Sequence, residues 1–154
     1  RVNFAYPMLA MIIYFIGTAV FISNNAALPM LELSNKYAAA TLESERILLS
    51  AAGEALLAKG GHGSPGAFLG FILSTIASIV MSIGMLRGKI FSKTTAYMGI
   101  LGGALLLVYL ILVTFVPETK NVAVMLAAPG GIFALVWTIM FTIKLFKIGF
   151  SRNI

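Results

Sequence analysis

The residues of this chain that could do chemistry are few. Five glutamates and one histidine are present, with no aspartate and no cysteine in 154 residues. The missing cysteines exclude disulfides, thiolate metal sites and any cysteine redox relay. A zinc site usually takes several His, Cys or carboxylate ligands, and one histidine without an HExxH pattern falls short of that. The serine-hydrolase elbow G-x-S-x-G and the Walker-type phosphate loop are also absent. His62, in Gly60-Gly61-His62-Gly63, reads first as a solvated loop residue; the alternative is a ligand or base working with a glutamate. No metal and no cofactor are expected.

A second cluster of polar groups interrupts an apolar opening. Residues Ser23 to Leu33 read SNNAALPMLEL. Asn24 and Asn25 can cap an ending helix or hydrogen-bond to a neighbour, Pro29 is expected to stop or kink the helix, and Glu32 falls beyond it. The whole stretch can simply mark an exit from a membrane; the other reading turns the two amides inward toward a ligand. The ligand-binding candidates are therefore Asn24, Asn25, Glu32, Glu54 and His62.

The elements that must position these residues follow from composition. The chain is 60% hydrophobic and 10% charged, with mean hydropathy +1.00, whereas a soluble domain carries about 25% charged residues. A water-facing surface cannot be assembled from this material. The formal charge of +6 does not indicate nucleic acid, because the basic residues form no patch interleaved with aromatics. Four apolar runs without internal charge stand out: Pro7–Leu28, Ala67–Leu86, Thr95–Val116 and Val122–Ile143. About 20 residues at 1.5 Å each cross a hydrocarbon core of about 30 Å, and lipid forces such segments to be helical. The opening run lacks a small-residue cleavage pattern and reads as a spanning helix, not a signal peptide. The predicted fold is all-α, an integral membrane bundle of four transmembrane helices in one unit. The chain opens on Arg1, which leaves room for an upstream segment.

Charge gives the orientation. With the amino terminus in the cytoplasm, that side receives Arg1, Arg87, Lys89, Lys93, Lys144, Lys147 and Arg152, and no acidic residue. The other side receives Lys36, Arg46, Lys59 and Lys120 with all five glutamates. Lys/Arg bias in short loops sets topology, so both termini are expected on the cytoplasmic side of the membrane. A proton-coupled exchanger needs an ionisable group inside the membrane. Every glutamate lies outside the four runs, which disfavours that class.

Residues 29–66 form a long connection of the kind that usually has its own structure or a function. Within it, residues 41–58 predict an extracytoplasmic amphipathic helix, with Thr41 as N-cap and Glu43 and Glu45 in the first turn, where the helix dipole favours acids. Leu48, Leu49, Ala51, Ala52, Ala55 and Leu56 gather on one side. This helix either lies at the lipid interface or forms a lid over a site.

Helix association in lipid needs small residues and close backbones. Gly70, Ser74, Ser78 and Ser82, spaced by four, supply one such face; Gly99 and Gly103 supply another, with Gly102 beside them. These faces could pair within the chain or in a homo-oligomer. Pro129, Gly130 and Gly131 predict a kink in the last helix, or a break offering carbonyls to a ligand. Tyr14, Tyr97, Tyr109 and Trp137 read as packing or interfacial residues.

Three stretches, SNNAALPMLELSNKYAAATLESERILLSAAGEALLA (Ser23–Ala58), MLRGKIFSKTTAYMGILGGALLL (Met85–Leu107) and TIKLFKIG (Thr142–Gly149), resemble a family of bacterial multi-spanning membrane proteins classed as a domain of unknown function. The resemblance spans most of the chain. It implies a helical membrane fold, bacterial origin, hence a place in the bacterial inner membrane, and members that extend further at the amino end; it implies no activity or ligand. The function expected from the residues is a non-enzymatic module binding a small apolar or lipid-like ligand, or a partner helix, in a pocket roofed by the 41–58 helix. An oligomeric channel or facilitated transporter and an intramembrane lipid hydrolase are the alternatives. Membrane lipids, and no nucleic acid, are the expected partners.

Overall fold

The computed structural model describes residues 4–60, 64–88 and 90–150. They form six α-helices: α1 (Ala5–Ser23), α2 (Ala27–Ala39), α3 (Glu43–Gly60), α4 (Pro65–Gly88), α5 (Lys93–Phe115) and α6 (Lys120–Phe150), with a 3-10 turn at Pro117–Thr119 before α6. No strand occurs among the described residues. Four of these helices are long and apolar enough to cross a membrane, namely α1, α4, α5 and α6, and together they form a helical bundle.

Packing follows the chain in a line: α1 lies on α4, α4 on α5, and α5 on α6. Among the described residues α1 and α6 do not pack on each other, which leaves a seam between these two helices. The buried core is built of small residues, including Ala10, Ala77, Ala96, Ala123 and Ser82, with Met85 and Leu110 as large exceptions. Large apolar side chains point outward instead; Phe15 is 62% exposed and Met125 is 73% exposed. Water would not tolerate so much contiguous apolar surface. Lipid covers it at no cost, and only close backbone approach then holds helices together.

The approaches are visible in detail. A Cβ added at Gly17 of α1 would stand 2.9 Å from Leu73 Cβ and Ser74 Oγ of α4, and one at Gly70 of α4 would stand 2.8 Å from Phe21 Cβ of α1. At Gly102 of α5 it would meet the Ala134 nitrogen of α6 at 2.9 Å. The serine stripe of α4 satisfies itself. Ser74 donates to Gly70 O at 2.9 Å, Ser78 to Thr75 O at 2.8 Å and Ser82 to Ser78 O at 2.8 Å, the back-bonding open to hydroxyls in apolar helices.

Two sequence expectations are corrected. The first run does not continue to Leu28: α1 ends at Ser23, and Pro29 sits in the first turn of α2, where Met30 N already bonds Ala26 O at 2.8 Å. A first-turn nitrogen has no intrahelical acceptor, so proline opens this helix instead of stopping one. α3 begins at Glu43 with Leu42 O accepting from Arg46 N at 3.1 Å, which leaves Thr41 one residue too early to cap it. No residue of α3 is buried, and Leu48 is 71% exposed. Its half-buried positions are Leu49, Gly53 and Leu56, a narrow i, i+4, i+7 stripe; the helix packs chiefly on α2.

α6 runs as one helix through Pro129. α5 opens with a cap that was not anticipated: Ser92 Oγ accepts from Thr95 N at 3.1 Å.

Candidate functional site

The asparagine pair serves first as local architecture. Asn24 Nδ2 donates to Val20 O at 2.8 Å and to Ser23 Oγ at 3.3 Å, closing the end of α1. Its amide also fills the space beside Gly66 of α4, so closely that a side chain there would collide with it. Asn25 Oδ1 accepts from Ala27 N at 2.8 Å, an Asx turn that starts α2. The break between α1 and α2 is thus made by two consecutive amides with opposite assignments.

Both asparagines line a cleft of about 340 Å³ with Met30, Leu56, Leu57 and Ala67. Glu32 and Glu54 are not among its lining residues. Glu32 is instead paired with Lys36, Nζ to Oε1 2.7 Å, on the exposed side of α2. The hydrogen bond from Lys36 and its charge hold the Glu32 carboxyl below its ordinary pKa. Glu54 is exposed on α3, and His62 lies outside the described residues. The five candidates are therefore not brought to one place among the described residues. Arg46, not singled out from sequence, ties the α2–α3 corner: its Nε donates to Ala40 O at 3.0 Å and its guanidinium lies 5.9 Å from the Tyr37 ring centre.

The larger concavity lies elsewhere. A groove of about 630 Å³ runs along the open seam, walled by α1 and α6 and floored by α4. α3 contributes nothing to it. α1 supplies Pro7, Met8, Ala10, Met11 and Tyr14, with Phe4 just before it; α4 supplies Ala77, Ser78 and Met81; α6 supplies Trp137, Thr138, Phe141 and Thr142. No lining residue is ionisable in the acidic or basic sense. Two of the hydroxyls are already donated to their own helices, Ser78 to Thr75 O and Thr138 to Ala134 O, each at 2.8 Å. The Trp137 and Phe141 rings stack with centres 5.5 Å apart and planes 3° apart.

Trp137 is held from behind. A Cβ at Gly99 would come within 2.6 Å of the indole Cδ1 and Nε1, and would also strike Ser82 Oγ. Gly99 thus lets α4, α5 and α6 meet at one point and turns the indole toward the groove. The Nε1 is buried against this junction without a hydrogen-bond partner. Sequence reasoning paired Gly99 with Gly103 as a packing face but took Trp137 for a packing or interfacial residue. The signal for the groove was the spacing of Phe4, Pro7, Met8, Met11 and Tyr14, which puts one aromatic and sulfur-bearing stripe on a single side of α1.

Comparison with known proteins gives a family and no activity. No curated protein and no solved structure matches the chain. Residues 1–144 match the family described as domain of unknown function DUF4386, and the chain belongs to that family.

Proposed function

We propose that the protein is a membrane-embedded binding module that takes an apolar molecule from the bilayer into the seam groove between α1 and α6. One observation carries this reading: the uncharged, approximately 630 Å³ recess left where α1 and α6 fail to meet. Apolar pockets with a few polar groups are the usual form of small-molecule sites, and a lateral opening suits a ligand that arrives through lipid. The expected roof under the 41–58 helix plays no part, since α3 stands apart from this groove. The excess of Lys and Arg on one side supports an orientation with both ends of the chain in the cytoplasm.

Native mass spectrometry of the detergent-extracted protein tests the reading. A stoichiometric apolar adduct is expected, and Thr138→Phe should remove it by filling the groove from an exposed position. Circular dichroism and the melting temperature of the variant should match the parent. A bare chain, or an adduct indifferent to Thr138→Phe, sinks the proposal.

A further inference from the structure

We infer that the occupant of the seam groove is a neutral, flat, carbonyl-bearing ring on an apolar tail, a molecule of the quinone class; this rests on the groove reading above. The groove offers no cation or anion to a charged group, and an unpaired charge in the hydrocarbon region is costly. A free acid or a phosphate is therefore a poor occupant. The walls are also unlike those a saturated chain requires. Four aromatic rings, Phe4, Tyr14, Trp137 and Phe141, line the recess together with three methionines. Aromatic faces and polarisable thioethers favour a flat conjugated partner through stacking and sulfur–ring contacts.

The polar contact comes from Tyr14. Among the described residues no hydrogen bond to its hydroxyl is found, and Tyr14, half-exposed on the groove wall, lies ten residues beyond Phe4, about 15 Å along the helix. Tyrosine usually sits at the membrane interface, where its hydroxyl meets water and headgroups; halfway through the bilayer an unpaired hydroxyl is costly. A phospholipid keeps its ester oxygens at the interface and leaves Tyr14 unpaired. A ring carbonyl drawn into the groove accepts from it. The indole Nε1 faces Gly99, so Trp137 contributes a ring face and no hydrogen bond.

The chain's single tryptophan makes the test direct. The full chain in phosphatidylcholine nanodiscs is titrated with decylubiquinone while Trp137 fluorescence is followed, with decylbenzene, the same tail on a ring without carbonyls, as competitor. Saturable quenching is expected at one quinone per chain. Thr138→Phe should abolish the saturable phase, and Tyr14→Phe should weaken binding about tenfold, the effect of one lost hydrogen bond. Decylbenzene should compete at least about tenfold less well by the same measure. Linear quenching that ignores Thr138→Phe overturns the inference, as does equal competition by decylbenzene with no effect of Tyr14→Phe. An apolar adduct in the native spectrum without saturable quinone binding removes this inference and leaves the groove reading standing. Absence of both removes both.

Discussion

Gly99 of α5 approaches Trp137 of α6 so closely that a single added carbon would stand 2.6 Å from the indole ring. The same carbon would strike Ser82 of α4, a residue with no solvent exposure. Three helices are thus locked through one missing side chain. Gly99→Ala should destabilise the bundle by about 1–3 kcal/mol, the usual effect of overpacking, read as a lower melting temperature in detergent. Ser82→Ala should recover part of that loss in the double variant, because it removes one of the two clashing groups. Gly53 of α3 has nothing near its added carbon. Gly53→Ala should leave the melt unchanged or raise stability by about 0.5–1 kcal/mol through helix propensity alone.

The two asparagines should separate by mutation. Asn25→Ala removes the Ala27 N to Asn25 Oδ1 bond and should speed hydrogen exchange of the first α2 amides, leaving α1 protected. Asn24→Ala opens the end of α1 and a gap beside Gly66, and should lower stability by about 1 kcal/mol. Equal effects of the two variants on α1 and α2 would contradict the assignment of one amide to each helix.

The Glu32–Lys36 pair gives a pH dependence of known sign. The folded carboxyl is held below its unfolded value, so its contribution to α2 is present above the unfolded pKa and disappears as pH falls through the folded one. The pair is exposed, so the effect on stability is small. Carboxyl NMR titration should show the Glu32 pKa rising in Lys36→Met, and an unchanged value would mean that Lys36 is not the cause.

Orientation can be read directly because the chain lacks cysteine. Single substitutions Lys147→Cys in the last turns of α6 and Asn35→Cys on α2 should label from opposite sides of the membrane. With both ends in the cytoplasm, a membrane-impermeant thiol reagent added outside cells should label only Asn35→Cys. Labelling of Lys147→Cys alone would reverse the topology.

Much of this molecule is legible in its sequence. Length and uninterrupted hydropathy pointed to four spanning helices, because a hydrocarbon solvent demands about 20 apolar residues per crossing and allows no unpaired backbone. Their ends were less legible: α1 stops at Ser23 and not at Leu28, and α6 runs past Ile143 to Phe150. Gly70, Ser82 and Gly99 could be picked out as packing positions for the same reason: helices in lipid adhere only where small residues let them close. Local chemistry was read less well. Pro29 looked like a terminator, since sequence alone cannot say whether a proline falls in the last turn of one helix or the first turn of the next. Asn24 and Asn25 in between made the break that decided it.

Tertiary structure decided what periodicity could not reach. Whether Gly70 meets Phe21, or Gly99 meets Trp137, depends on which helices become neighbours, and a lipid-exposed helix carries little polar asymmetry to show which side faces inward. The line of packing from α1 through α4 and α5 to α6 left a seam, and the seam made a groove from residues as distant in the chain as Met11 and Phe141. The sequence by itself determined the solvent, the helices and their small-residue faces, because each depends on residues close in the chain. The order in which those faces met, and therefore the site, depended on contacts between residues far apart in it.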